Sequence, residues 1–258
     1  MRKFLAIGAA CAVALGAAGT AQGGVEATDS NGNFIVLDAD FNPSASSTRK
    51  TITPANLNVD ISFGNKRTGN PFPSTAGFDL ALPRGTAFNG AEFPQCPLPA
   101  NQNEVANDRC AKGTRVGTGG AVIDARALGV QEPVVAAMTA YNGAPNGKKP
   151  TLILIAKATV SGQEIGAEIN LEWTRGRFSL FDPLPDTPSG LPYSFLSVNL
   201  DIGAILKTRL RGRRVAIPLF YTPRTCPRKG WVFSFNHTDA NGGKIAAPDR
   251  QPCVQLKD

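Results

Sequence analysis

The chemistry this chain carries in most concentrated form is positive charge. Lys207-Thr-Arg209-Leu-Arg211-Gly-Arg213-Arg214 places five cations within eight residues. Such a run creates a local field that attracts polyanions. Arginine forks also match the geometry of carboxylates and phosphates. The run has no interleaved aromatics of the kind that stack single-stranded bases. Lys207, Arg209, Arg211, Arg213 and Arg214 are therefore the candidate contact for an anionic cell-surface polymer, with no specific nucleic acid implied. A solvated loop between two strands is the competing explanation.

Other groups that could do chemistry are sparse. The chain has one histidine, His237, in Asn236-His237-Thr-Asp-Ala-Asn-Gly-Gly243, which reads as a strand entering a hairpin turn. A Ser–His–Asp arrangement would have to use it, and no Gly-x-Ser-x-Gly elbow is present. Glu164, Glu168 and Glu172 fall on one face of a strand. Neighbours at that spacing are roughly 13 Å apart, too far for a glycosidase carboxylate pair, so a solvated strand face is expected. An exported hydrolase using two carboxylates from different segments stays open as the alternative class. Asp38-Ala-Asp40-Phe-Asn42 opens like a calcium loop, with Asp29-Ser-Asn31-Gly-Asn33 as a weaker echo. Pro43 and Arg49 stand where an EF-hand needs glycine and glutamate, so both stretches read as turns. No motif calls for a metal or a cofactor.

Cysteine usage is more informative. Met1-Arg2-Lys3, the apolar stretch Phe4 to Ala18 and the small residues Gly19 to Gly23 form the three parts of a secretory signal peptide, expected to be removed as residues 1–23. The apolar stretch is shorter than the ~20 residues that span a bilayer. Cys11 would leave with it. Loss of Arg2 and Lys3 lowers the formal charge from +7 to +5. Cys96, Cys110, Cys226 and Cys253 remain, and an even number in an exported chain implies disulfides. Three pairings are possible. The favoured one is sequential, Cys96–Cys110 and Cys226–Cys253, because both loops are local. A zinc site lacks any Cys-x-x-Cys pair. Secreted or cell-surface residence follows, with no transmembrane segment after cleavage.

The elements that must position these groups are strands. Leu57 to Phe63 alternates strictly, and Phe78 to Leu82, Ile165 to Trp173, Leu196 to Ile202, Val215 to Tyr221 and Trp231 to Phe235 repeat the period of two at their apolar positions. Val116 to Ile123 and Val134 to Tyr141 are β-like, the latter followed by a turn over residues 142–147. Thr151 to Val160 is almost wholly apolar, as a central strand would be. Pro218 marks an edge or a bulge. Helical periodicity is weak, with at most a turn or two in 101–109 and 203–208. The 27 glycines and 20 prolines fit many turns. The predicted fold is an all-β sandwich of short antiparallel strands with little helix, stapled by two disulfides, over residues 24–258 as one domain. Ile169, Leu171, Trp173, Val198, Leu200 and Trp231 should lie in its core.

Two stretches carry a resemblance. One runs from Leu82-Pro-Arg-Gly-Thr-Ala-Phe88 through Phe93-Pro-Gln-Cys96 to Cys110-Ala-Lys-Gly-Thr-Arg-Val-Gly-Thr-Gly-Gly-Ala121. The other is Thr222-Pro-Arg-Thr-Cys226-Pro-Arg-Lys-Gly-Trp231-Val-Phe233 with Gln251-Pro-Cys253. Together they resemble uncharacterised secreted proteins of actinobacteria of the Solirubrobacter kind. Those proteins usually carry Cys-Pro at the second cysteine, where this chain has Cys110-Ala111. The resemblance implies secretion and local disulfides and brings no activity. Sequence alone thus points to a non-enzymatic envelope or extracellular protein.

Overall fold

A computed structural model describes residues 24–67, 75–98, 109–124, 126, 130–160, 162–181 and 194–257. The leader and the 101–108 segment lie outside the described residues. The strands are β1 Val25–Thr28, β2 Asn33–Asn42, β3 Pro54–Asn65, β4 Thr75–Ala81, β5 Ala87–Phe88, β6 Arg115–Asp124, β7 Val134–Asn146 and β8 Lys149–Val160. They continue with β9 Gln163–Thr174, β10 Arg177–Leu180, β11 Ser194–Ile202, β12 Ile205–Leu210, β13 Arg213–Pro218, β14 Phe220–Tyr221, β15 Trp231–Asp239 and β16 Lys244–Gln251. Among the described residues the helical content is two single turns, Gly90–Glu92 and Lys112–Thr114. No helix among them is long and apolar enough to cross a membrane. The protein is all-β, as predicted.

Fourteen strands form one antiparallel sheet. Its main path runs β1-β2-β3-β11-β6-β7-β8-β9-β10-β4-β15-β16, with β14 and β5 paired off β3. The sheet curls until β16 lies against β1 and β2. Side chains tie that seam. Asp249 accepts the Ala39 N–H at 2.8 Å, and Gln251 donates to Asp38 at 2.9 Å. Six strands have ten or more residues, longer than their alternating stretches suggest.

Alternation decides which face each strand buries. In β15, Trp231, Phe233, Phe235 and His237 point inward while Val232 faces out. In β2, Ile35, Leu37, Ala39 and Phe41 do the same. Phe41 packs on Trp231 and Phe233 at ring distances of 5.8 and 5.4 Å, joining the first strands to the last. Ile169, Leu171 and Trp231 are buried, and Trp173, Val198 and Leu200 pack partly buried against the same core. The apolar run of β8 is explained by burial on both faces. Leu152, Leu154 and Ala156 enter the main core, while Ile153 and Ile155 lie beneath a strap held by Cys96.

Three local expectations are corrected. Residues 142–146 extend β7 instead of turning, because they pair with β8 on one side and with the Cys96 strap on the other: Cys96 N–H donates to Asn142 O and Ala144 N–H to Cys96 O. Residues 205–208 start a strand, since Leu206 and Ile217 pack toward the core at period 2. Asp38 and Asp40 sit in β2 and not in a turn, facing away from the buried alternate positions. The Asp29 stretch is a turn, with its carboxylate accepting the N–H groups of Asn31 and Asn33.

Candidate functional site

The basic run folds as the β12–β13 hairpin, a two-stranded ribbon separate from the main sheet. Leu210 pairs with Arg213, so Arg211-Gly212 forms a two-residue connection. Both residues have positive φ, 50° and 78°. That matches the twist of the strands but strains Arg211, while Gly212 takes it freely. Register then sorts the side chains. Lys207 pairs with Ala216 and Arg209 with Arg214 on one face; Leu206 pairs with Ile217 and Thr208 with Val215 on the other. Leu206 and Ile217 pack against the core, which holds the ribbon with its cationic face outward.

All five cations are exposed. None has an ion pair with a carboxylate of the described residues. Arg209 and Arg214 are direct cross-strand neighbours, and like charges so placed repel. The structure thus gathers the predicted residues on one ribbon: Lys207, Arg209 and Arg214 on its face, Arg211 and Arg213 at its tip.

Cys96 and Cys110 form one disulfide, Cys226 and Cys253 the other, with Cα–Cα distances of 4.8 and 5.7 Å. These fall within ordinary disulfide geometry. Each closes a strap on the body. Asn142, buried, donates to the carbonyls of Gly90 and Pro94 and so anchors the approach to Cys96. Beyond it, Arg109 reaches Glu168 at 2.6 Å, with only 12% and 10% of the two side chains exposed. The expectation of a solvated glutamate face is therefore wrong at Glu168, because Arg109 pairs with it in a largely buried place. Glu172 pairs with Lys149. Glu168 and Glu172 are thus taken up in ion pairs, while the Glu164 side chain lies outside the described residues.

His237 is 2% exposed, and its Nε2 lies 3.0 Å from Thr75 Oγ1. Burial lowers its pKa to about 4, against a smaller opposing effect of Asp239. It packs near Phe63 inside the sheet, so it is a core histidine. Asp38 and Asp60 are direct neighbours on β2 and β3. Both are held above the usual carboxylate range, chiefly by burial. Asp249, Asp40 and Asp60 add to this at Asp38, and Asp40 at Asp60. Among the described residues no group of three or more Asp, Glu, His or Cys side chains is arranged to hold a metal ion.

The sequence reading missed a second set of cations. Arg84, Arg175, Arg177, Arg224 and Arg250 line two adjoining hollows that share Arg84 and Gly85. They come from four separate segments, so no local density marks them. The hints were indirect: three of the five adjoin or precede the glycines and cysteines of the familiar stretches, as in Arg84-Gly85 and Arg224-Thr-Cys226. Comparison with protein-family models, curated proteins and solved structures finds no match to this chain.

Proposed function

We propose that this is an exported, non-enzymatic protein that binds an anionic polymer of the cell surface through the β12–β13 hairpin. The observation that carries the reading is the ribbon itself. It presents five exposed cations, two of them directly opposed, with no compensating acid among the described residues. An arrangement that raises local repulsion is relieved when a polyanion lies along it. Export is supported by the leader pattern, by two disulfides that persist in oxidising compartments, and by the resemblance to secreted actinobacterial proteins.

The test is binding to isolated cell envelopes or purified teichoic acid at low and high salt. The wild type should bind at low salt and release as salt rises, since exposed charges are screened over about 10 Å at 0.1 M. The variant Arg211→Ser/Arg213→Ser/Arg214→Ser should bind at least about tenfold more weakly. Equal binding by parent and variant at low salt would overturn the reading. Mass spectrometry of the protein from medium or envelope should find the mature N-terminus between residues 20 and 26; an intact Met1 in the cytoplasm would remove the export part.

A further inference from the structure

The two hollows share a wall, Arg84-Gly85. One has a volume of about 530 Å³ and is lined by Arg84, Arg175 and Arg177 beside the half-buried Trp173. The other, about 690 Å³, is lined by Arg84, Arg224 and Arg250 beside Val232. These are ligand-sized volumes. No aspartate or glutamate lines either one. Only Arg177 meets an acid, Asp79, at 3.2 Å, and Arg250 donates to the Lys229 carbonyl. Arg84, Arg175 and Arg224 make no ion pair with a described carboxylate.

The fold builds this groove deliberately from distant pieces. Leu82 N–H donates to Gly176 O, which sets the Arg175-Gly176 turn beside the Arg84 turn. Thr86 closes the latter by donating N–H and Oγ1 to Pro83 O. The Cys226–Cys253 disulfide ties the segment bearing Arg224 to the end of β16 bearing Arg250. In that segment Gly230 has φ 82°, and a Cβ there would stand 2.3 Å from the Gln251 carbonyl oxygen, so only glycine permits the approach. Phe220 pairs with Phe88, so the chain leaving the hairpin runs beside the chain leaving the Arg84 turn.

From this we infer that the groove binds an acidic glycan, a chain of pyranose rings bearing carboxylates. The inference deepens the anionic-polymer reading and rests on it. Arginine forks take carboxylates bidentately. Trp173 offers aromatic surface for the apolar C–H face of a sugar ring, a contact that the exposed ribbon cannot supply. Arginine and tryptophan in a concave site are also the residue types that dominate binding energy. The hairpin then acts as a non-selective electrostatic guide, and the groove reads the sugar.

The chain has two tryptophans, Trp173 and Trp231, each lining one of the hollows, so intrinsic fluorescence reports occupancy. We expect oligogalacturonate to change it saturably, and the neutral galactan of the same length to leave it unchanged. Trp173→Phe should remove most of the signal. Arg84→Ser/Arg175→Asn/Arg224→Ser should weaken binding at least about tenfold; asparagine is chosen at 175 because Arg175 has φ 51°, a left-handed conformation that asparagine tolerates. Should that variant melt early, Arg84→Gln alone carries the test, with about a tenfold loss expected. The hairpin triple variant should retain oligogalacturonate affinity within about threefold while losing envelope binding. If oligogalacturonate affinity falls with the hairpin variant and not with the groove variant, the groove reading fails and the hairpin reading stands. If envelope binding survives the hairpin variant while groove substitutions abolish it, the hairpin reading fails instead. Equal response to neutral galactan, no response to oligogalacturonate, or tighter binding of single-stranded DNA through the same arginines overturns the acidic-glycan assignment.

Discussion

Two pairs of like charges face each other across strands in this protein, and they are treated in opposite ways. Asp38 opposes Asp60 on β2 and β3. There the fold surrounds the acids with donors: Gln251 donates to Asp38, and Asn58 donates to neighbouring Asp40. Arg209 opposes Arg214 on the hairpin, where neither makes an ion pair with a carboxylate of the described residues. Asp38 and Asp40 are taken into the sheet's hydrogen bonding. The ribbon's cations are exposed and make no ion pair with a described carboxylate.

Four experiments sharpen or break this contrast. The largest effect is expected at the ion pair under the first strap. Arg109→Ala leaves Glu168 covered without its partner, and removing one member of a buried pair costs about 3–5 kcal/mol. Urea denaturation showing under 1 kcal/mol would mean that Glu168 is solvated after all.

Next comes the response to acid. His237 is held neutral in the fold with a pKa of about 4, against 6.5 when free. The unfolded chain therefore binds the extra proton as pH falls from 6.5 to 4, and stability drops over that window by roughly 3 kcal/mol. Above pH 6.5 this contribution is fully present and flat. The raised Asp38 and Asp60 act in the opposite sense, since their protonation at lower pH favours the fold. Thermal melts from pH 7.5 to 4 should show the loss, and His237→Gln should flatten it; an unchanged slope in the variant would assign the loss elsewhere.

A smaller cost is expected at the seam. Asp249→Ala leaves the Ala39 N–H unpaired in a buried place, worth about 2 kcal/mol, partly offset by relief of repulsion on Asp38. Asp249→Asn should recover much of it. Hydrogen exchange at Ala39, accelerated in the alanine variant, would locate the effect. Smallest of all is the ribbon: Arg211→Ser/Arg213→Ser/Arg214→Ser should shift stability by less than about 0.5 kcal/mol. A larger loss would show that the ribbon's cations are structural, and the contrast drawn above would collapse.

Much of the architecture was legible because strand burial has a period of two. Leu57 to Phe63, Ile169 to Trp173 and Trp231 to Phe235 declare their inner faces in the residue order itself. The sequential disulfides followed from loop length alone. Strand boundaries were less legible. The 142–146 segment carries turn residues, and pairing with β8 on one side and Cys96 on the other keeps it extended. The 203–208 stretch shows no clear period until Val215 and Ile217 on the facing strand complete it.

The sequence by itself determined local matters: all-β character, the alternation of the core strands, the cationic density of residues 207–214 and the even set of cysteines. Each depends on neighbours along the chain. The tertiary structure alone decided which of those charges are spent internally and which remain available. Glu168 looked solvated and is largely buried, because Arg109, next to Cys110 of the first disulfide, reaches it. Arg84, Arg175, Arg224 and Arg250 are scattered in sequence and share a groove, because the curled sheet brings three loops and the end of β16 together. A solitary arginine in a turn carries no local signature of its partners. Its surroundings are set by strand order and register, and these are long-range properties.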